Sequence, residues 1–324
     1  MIISAFSRYA LSACVAAAML AGCSGSQPPI GAPGTVPQTS AIAMHADRGK
    51  SSAEPSTSSA DLIYATNGCD GTCVISYPQG KLVASISAGG YMYAGDCVDS
   101  DGNVFIANGA SVVEYAHGGT TPIQTLNLPG DSAAGCSIDP STGNLAVVFS
   151  ESGANVAIFP NATGAPTTYE SHIVSLYCGY DNSGNLFVSG LNGHLAGLSE
   201  LPVGKSDFAV LSITSNFDGV GQVQWDGSHI TVEGRDEHDI KVSRLKITGS
   251  KARVVGETRF GGIRNAFQSW IYGNKIMIPY GTRGFLINKI SVWAYPKGGK
   301  PVIKFGQFGE LTKFGGVTFS QAPK

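Results

Sequence analysis

The chain has 324 residues, and its 21 Lys and Arg against 23 Asp and Glu give a formal net charge of −2. This balance argues against the broad basic surface of a protein that binds nucleic acid. With 43 glycines, 16 prolines and no long helical hydrophobic period, the composition favours strands joined by turns over helices.

Residues 1–23 have the layout of a secretory signal. Arg8 is followed by an apolar run that ends in Leu20-Ala21-Gly22-Cys23, and this run is too short and wrongly flanked for a membrane-spanning helix. The last four residues resemble the lipobox of bacterial lipoproteins, which implies cleavage before Cys23 and attachment of a lipid to its sulfur. An ordinary secretory signal with an accidental cysteine is the alternative.

The resemblance also bears on the cellular address, because Ser24 after the cysteine implies sorting to the outer membrane. We therefore expect an exported protein that is lipid-anchored to a bacterial membrane, with the outer membrane or cell surface favoured. Residues 24–60 are rich in Ser, Pro, Gly, Thr and Ala and predict a disordered tether, because they cannot bury enough apolar surface to offset their ordering entropy. Residues 61–324 suffice for one large domain.

A repeat of strand, turn, strand, loop and strand runs through this domain. Its third strands are marked by Tyr77, Tyr115, Phe159, Leu201, Ile247 and Tyr295, with steps of 38, 44, 42, 46 and 48 residues. Steps of this size with three or four strands per repeat are typical of a β-propeller, since a solenoid with helices would show helical periodicity. Six third strands predict an all-β, six-bladed β-propeller.

The first repeat begins at a second strand, DLIYATNG, and lacks a first strand of its own. First strands share a column of residues placed one before the turn, namely Val98, Ile138, Tyr180, Trp225, Ile271 and Phe319. Because Phe319 lies near the C-terminus, we predict that the C-terminal strand completes blade 1 and closes the ring. The alternating pattern predicts that this column packs between blades.

The turns that follow the first strands open on an acid, as at Asp99, Asp139 and Asp181. The stretch DSDGN is superficially similar to a calcium-binding loop. Asp and Gly at one repeated place nevertheless favour a turn held by bonds from side chain to backbone.

The repeat over residues 61–324 resembles the six-bladed propellers of the NHL-repeat and gluconolactonase-like proteins. The match is to the repeat and not to a catalytic motif, and such folds serve many functions. For gluconolactonase-like enzymes the resemblance implies a divalent metal, held at the starts of the inner strands, that polarises a lactone and activates water. The weak candidates here are Asp96, Asp218 and Asn265, which supply fewer oxygens than a hard cation needs.

In a propeller, the loops that lead into the first strands and the hairpins between second and third strands lie on one face, at the mouth of the central channel. The ligand-binding residues predicted on this face are Tyr91, Tyr93, Asp96, Tyr177, Asp218, Gln222, Arg264, Asn265 and Gln268. Aromatic rings, amides, a cation and carboxylates suit a polar ligand of carbohydrate size. A water-filled channel whose polar lining only satisfies backbone ends is an equal alternative.

The densest cluster of metal-capable side chains is the run from Arg235 to Asp239, in a loop between second and third strands. We favour a solvated hairpin tip there, because one exposed loop seldom gives a site its fixed geometry. The histidines show no link to a nucleophile, so no catalytic residue is assigned.

Five cysteines remain after the predicted processing, and an odd number leaves at least one unpaired within the chain. Cys69 and Cys73 flank a hairpin tip, which predicts a disulfide in an oxidising compartment. Cys136 and Cys178 share one column of neighbouring blades and either pair across the seam or are simply buried. Cys97 is one place out of that register and is expected to face the other way.

Charge is unevenly distributed along the chain. Residues 24–228 hold 4 Lys or Arg and 17 Asp or Glu, whereas residues 229–324 hold 16 and 6. A basic arc over blades 5 and 6 would attract an anionic partner, although compositional drift is an alternative.

Two functions follow as hypotheses. The first is a non-enzymatic binding or scaffolding module, monomeric and without cofactor, whose partner is a cell-envelope component, a glycan, a protein or a small polar ligand. The second is a metal-dependent lactonase or hydrolase at the channel mouth. The expected export and the negative net charge argue against nucleic acid as a partner.

Overall fold

The computed structural model describes residues 59–90, 94–150, 153–214, 217–235, 239–263, 265–281, 287–306 and 313–323. The predicted signal, residues 24–58 of the predicted tether and the site residues Tyr91, Tyr93 and Arg264 lie outside these ranges. No helix in the described ranges is long and apolar enough to cross a membrane.

The described strands form six sheets, which are the blades of the propeller. Blades 1 to 3 contain β1 (Leu62–Gly68), β2 (Gly71–Ser76) and β3 (Leu82–Ile86); β4 (Asp96–Val98), β5 (Val104–Asn108), β6 (Ser111–Tyr115) and β7 (Pro122–Asn127); and β8 (Asp131–Ile138), β9 (Leu145–Ser150), β10 (Val156–Phe159) and β11 (Thr167–Tyr169).

Blades 4 to 6 continue the same order from the inner to the outer strand. They contain β12 (Val174–Tyr180), β13 (Leu186–Asn192), β14 (Leu195–Leu201) and β15 (Ala209–Val210); β16 (Ser212–Ile213), β17 (Gly219–Trp225), β18 (Ile230–Arg235), β19 (Ile240–Thr248) and β20 (Lys251–Phe260); and β21 (Trp270–Tyr272), β22 (Lys275–Tyr280), β23 (Lys289–Ala294) and β24 (Ile303–Lys304). Strand β16 precedes blade 5 in the sequence but joins its outer edge, parallel to β20.

The last strand, β25 (Val317–Ser320), is the inner strand of blade 1. It pairs antiparallel with β1, and Phe319 lies opposite Ile63. The Phe319 ring also packs edge-on against Tyr77, with 5.2 Å between ring centroids. The predicted closure of the ring by the C-terminal strand is therefore confirmed.

Six clusters of buried apolar side chains fill the spaces between blades, one in each seam between two neighbours. Each cluster contains one residue of the predicted first-strand column, namely Val98, Ile138, Tyr180, Trp225, Ile271 or Phe319. The core of this protein is therefore a ring of inter-blade layers, as the alternation along the inner strands predicts.

The strand register changes the alignment of the third-strand markers. Ile63, Ile276 and Ile230 each pair with a third-strand residue two places before Tyr77, Tyr295 and Ile247, respectively. In blades 2, 3 and 4 the markers are themselves the paired residues, so the structural equivalents of Tyr77 are His117, Asn161 and Val203. The repeat can be recognised from the sequence despite this offset of two residues, because in a strand both positions place their side chains on the same side.

The acid that opens each predicted turn bonds within its own turn. Asp99 Oδ1 accepts hydrogen bonds from the backbone N–H groups of Asp101 (2.9 Å) and Asn103 (2.8 Å). Asp181 does the same for Ser183 and Asn185. These contacts give the Asp residues a structural role and account for their repetition.

Two disulfides lie in the first three blades. Cys69 bonds Cys73 at the tip of the β1–β2 hairpin, as their spacing suggests, and Cys97 bonds Cys136. The alternative pairing of Cys136 with Cys178 is wrong, because residues in one column of neighbouring blades point the same way around the ring. Cys97 faces blade 3 from the opposite parity and so meets Cys136, while Cys178 stays free and buried among residues of blades 3 and 4.

Candidate functional site

Loops leading into the first strands meet the hairpins between second and third strands on one side of the ring, here called the mouth face. Before blade 2, the N–H of Gly89 donates to Asn108 Oδ1 (3.3 Å) at the β5–β6 hairpin. Before blade 3, the N–H of Leu128 donates to the carbonyl of Ala110 (2.9 Å). The lower face, on the opposite side, carries the turns between first and second strands.

Gln268 reaches from blade 6 across the inner ring to blade 2. Its Oε1 accepts a hydrogen bond from the N–H of Asp96 (3.0 Å), and its Nε2 donates to the Asp96 carbonyl. A Cβ on Gly95 or on Gly316 would collide with Oε1, so glycine at both positions makes room for the crossing. The structure thus uses the predicted ligand-binding amide of Gln268 to link blade 6 to blade 2, close to Gly316, just before the inner strand of blade 1.

Asp96 is fully buried at the start of the inner strand of blade 2. Neither of its carboxyl oxygens accepts a hydrogen bond from a described residue. Burial raises the pKa of the Asp96 carboxyl well above its ordinary value, because desolvation disfavours the anion. Strand alternation turns this side chain toward blade 1, where the buried Oγ1 of Thr318 is likewise without a bonded partner in the described ranges.

Blade 5 contributes a second buried polar group to the inner ring. Gln222 is 4% exposed, and its Nε2 donates to the carbonyl of Val223 (2.9 Å). Its Oε1 has no donor among the described residues. Asp96 and Gln222, both predicted from the sequence, therefore keep acceptor capacity inside the ring.

Glu233, on β18, is a buried acid that was not predicted from the sequence. Its carboxylate accepts the backbone N–H of Ser269 (3.0 Å), next to Gln268. Burial raises the pKa of Glu233 to about 7, and the bonds from Ser269 offset part of that rise. The sequence signal was an acid in the middle of an apolar second strand, ITVEG, a position that lies between two packed neighbours.

Tyr177 lies on β12 and is only 5% exposed. A Cβ on Gly135 of blade 3 would come within 2.9 Å of the Tyr177 ring. The tyrosine ring therefore covers a glycine of the neighbouring inner strand, and its face contributes to the packing of blades 3 and 4.

The weak metal candidates are separated around the channel, in blades 2, 5 and 6. Asp218 is paired with Lys241 Nζ (2.8 Å), which also contacts Glu257 (3.1 Å). Burial opposes the charge on Lys241, but these two carboxylates outweigh it and raise the pKa of the lysine. Asn265 bridges Gly281 through its backbone carbonyl.

These positions do not fit the hard-cation site that the family resemblance implies. The carboxylate of Asp218 is already neutralised by a buried cation, and a hard cation needs several oxygens converging on one point. Within the described ranges, no group of three or more His, Cys, Asp or Glu is arranged to hold a metal.

The predicted cluster from Arg235 to Asp239 lies partly outside the described residues, since residues 236–238 are not covered. Strand β18 ends at Arg235 and β19 begins at Ile240, and these two residues pair at the mouth-face end of the two strands. The Asp239 carboxylate accepts the N–H of Gly262 (3.2 Å) in the loop leading toward blade 6.

A cleft of about 520 Å³ opens on the mouth face between blades 3 and 4. Its polar wall includes Glu170 and His172, and the His172 ring contacts the Asp207 carboxylate at 3.1 Å. Val174, which lines the cleft, is 60% exposed, and Leu195, which pairs with the lining residue Asn192, is 76% exposed. None of these residues belongs to the predicted set, because the cleft is formed where segments distant in sequence meet, which a local sequence pattern does not reveal.

Comparison with known proteins agrees with the architecture. No protein-family model matches the chain, and no curated protein matches its sequence. Among solved structures, a chain in the nidogen/laminin complex is similar over 82% of this chain and 99% of its own length, with 12% identity and a TM-score of 0.62.

Two bacterial structures are similar over nearly the same share of the chain. A protein of unknown function from Bacteroides caccae covers 81% of this chain and 99% of its own, with 12% identity and a TM-score of 0.59. A putative TolB from Agrobacterium tumefaciens covers 82% and 99%, with 13% identity and a TM-score of 0.52. At such identities the likeness shows the fold alone, and the chain is a six-bladed β-propeller.

Proposed function

We propose that this propeller is an exported, lipid-anchored binding module that holds a component of the bacterial cell envelope against its mouth face. The observation that carries the proposal is the cleft between blades 3 and 4, with Val174 and Leu195 exposed beside it. Exposed apolar side chains next to a concave, partly charged wall are typical of a surface that binds a partner.

The address rests on the sequence, through the apolar signal and the Leu20-Ala21-Gly22-Cys23 resemblance to a lipobox. The fold supports binding or scaffolding in general terms, since the similar nidogen chain was solved in a complex with laminin. A protein or a glycan of the envelope is the class of partner that both observations favour.

Metal-dependent hydrolysis is the weaker reading of the same face. It needs Asp96, Asp218 and Asn265 to act on one cation, but the ion pair between Asp218 and Lys241 occupies one of them. We therefore place the function in recognition and assign no catalytic residue.

Binding at the mouth face is tested by capture of envelope components with the full-length chain. The double variant Val174→Asp, Leu195→Asp puts two charges beside the cleft and is expected to lower capture at least about tenfold, because a desolvated interface rejects an unpaired charge. The matched control is Val302→Asp. Val302 is likewise an exposed apolar residue, at 58%, but it lies in blade 6, away from the cleft. Equal capture by the double variant and the control would show that the mouth face is not the binding surface.

A further inference from the structure

A second cleft, of about 690 Å³, lies on the lower face in the seam between blades 4 and 5. One wall comes from the Asp181–Asn185 turn of blade 4, and the other from the end of β17 and the β19–β20 turn of blade 5. Its floor is apolar and includes Phe187 and Leu245, while Trp225 forms a half-buried part of the wall. This volume falls in the range of small-molecule sites.

Three of the six seams have a ring at the position of Tyr77 that bonds to the preceding blade, whereas the seam of this cleft, like the seams of Asn161 and Val203, has no ring there. In the seam between blades 6 and 1, the hydroxyl of Tyr77 meets Lys275 Nζ at 2.8 Å. Between blades 5 and 6, the hydroxyl of Tyr295 donates to Asp226 Oδ2 (2.7 Å). In each case, a ring from one blade reaches the first turn of the blade before it.

The seam between blades 1 and 2 has the same kind of contact at the equivalent position. There His117 Nδ1 meets Ser320 Oγ at 2.6 Å, at the end of the inner strand of blade 1. In the seam between blades 4 and 5 the equivalent residue is Ile247, which has no ring and no polar atom. Ile247 lines the cleft, together with the turn that a ring in its place would reach.

The wall of the cleft between blades 4 and 5 carries two carboxylates, and one of them can still accept a hydrogen bond. The Asp181 carboxylate is used by the backbone N–H groups of Ser183 and Asn185 and by the Asn185 amide. Glu200, also on the cleft wall, has no hydrogen-bond donor among the described residues. Partial burial, and then the nearby Asp181 charge, raise the pKa of Glu200. A half-buried carboxylate of this kind is stabilised by any group that donates a hydrogen bond to it.

We propose that the cleft between blades 4 and 5 binds a small ligand with a hydroxylated six-membered ring, which takes the place that tyrosine occupies in other seams. The ring would pack on Trp225 and Ile247, and its hydroxyl would donate to Glu200. Phenols and pyranose sugars share this chemistry, since both pair a hydroxyl donor with an apolar ring face. The site is separate from the mouth face and does not depend on the function proposed there.

Isothermal titration of the full-length chain with p-cresol and with methyl β-glucoside distinguishes the two sources of such a ring, and toluene supplies a ring without a hydroxyl. We expect one hydroxylated compound to bind with a 1:1 stoichiometry and toluene to bind at least about tenfold more weakly. Absence of binding by both hydroxylated compounds up to about 10 mM overturns the proposal.

Two variants test the position of the site. Ile247→Tyr supplies the missing ring and is expected to abolish binding, whereas Val302→Tyr, at an exposed residue just before β24 in blade 6, leaves it unchanged. Glu200→Gln is expected to weaken the hydroxylated ligand about tenfold and to leave toluene unaffected, because only the charge-assisted bond is lost.

The Glu200 variant decides the matter even if Ile247→Tyr does not fold. Undiminished binding to folded Ile247→Tyr, or an unchanged affinity in Glu200→Gln, overturns the assignment of this cleft.

Discussion

Single side chains of the inner ring are used for two different purposes. The amide of Gln268 has both of its atoms bonded to the backbone of Asp96, so it acts as a structural cross-link between blades. The carboxyl groups of Asp96 and Glu233 are instead buried, and the loss of solvation raises the pKa of each. The stability of the ring should therefore depend on pH through these two acids.

Replacement of Glu233 by Gln isolates one of these contributions. The folded pKa of about 7 lies above the ordinary value of 4.5, so folding takes up a proton between these values. Stability from this group is therefore fully present below about pH 4.5 and is lost as the pH rises through about 7. Glu233→Gln keeps an acceptor for Ser269 without the charge, and should gain about 3 kcal/mol over wild type between pH 5 and pH 8.

The measurement for Glu233→Gln is urea unfolding of both proteins at several pH values. Glu170→Gln serves as the control, since Glu170 is 57% exposed and its removal should leave the pH dependence as in wild type. A wild-type and a Glu233→Gln curve that stay parallel across this pH range would contradict a buried, neutral carboxyl at this position.

The strands that recur in every blade could be predicted from the sequence. A segment that crosses from one blade to another could not. The column from Val98 to Phe319 identified all six inner strands, because each has to place an apolar residue in a seam. Strand β16 was not predicted, since two residues give no period and its parallel pairing with β20 depends on where the chain leaves blade 4. The pairing of Cys97 with Cys136 was missed for a similar reason, because it requires knowing how two blades face one another.

Strand β25 provides the sharpest test at the level of elements. Deletion of residues 315–324 removes the partner of β1 and takes Val317 and Phe319 out of the seam between blades 6 and 1. Burial of two such side chains contributes about 4 kcal/mol or more, so we expect the melting temperature to fall by more than about 10 °C or the domain not to fold. Deletion of residues 323 and 324 alone, beyond the strand, is the control. Equal melting of the longer deletion and the full chain, followed by circular dichroism, would refute closure by β25.

At the scale of the whole molecule, the sequence predicted the ring but only part of its binding surface. Asp96 and Gln222 do keep unused acceptor atoms, yet Gln268 and Asp218 are already engaged by Asp96 and Lys241. Whether a polar side chain is used by another blade depends on the radius of the ring, which no local pattern encodes. Both clefts lie in seams, where the two walls come from segments that are distant in sequence.

The proposed anchor is a property of the whole chain and is tested in bacterial cells. Cys23→Ser removes the sulfur that would carry lipid, so the variant should move from the membrane fraction to the soluble fraction, or remain with its signal uncleaved. Cys14→Ser, inside the same apolar run, should leave the distribution and the processing as in wild type. Immunoblotting of separated fractions measures both. An unchanged, processed and membrane-bound Cys23→Ser protein would contradict lipid attachment at Cys23.

The two ends of the described domain are bonded to one another. The N–H of Ala322 donates to Asp61 Oδ1 (3.0 Å), and His117 joins Ser320 to the carbonyl of Ala60 (2.9 Å). A short linker could therefore join these ends without strain, and the chain could be opened at an exposed turn of another blade. In such a circular permutant, a cut between two blades would leave every blade built from consecutive strands. A cut within a blade would make that blade the one closed by both chain ends. The order of blades along the gene is thus one of several that specify the same ring.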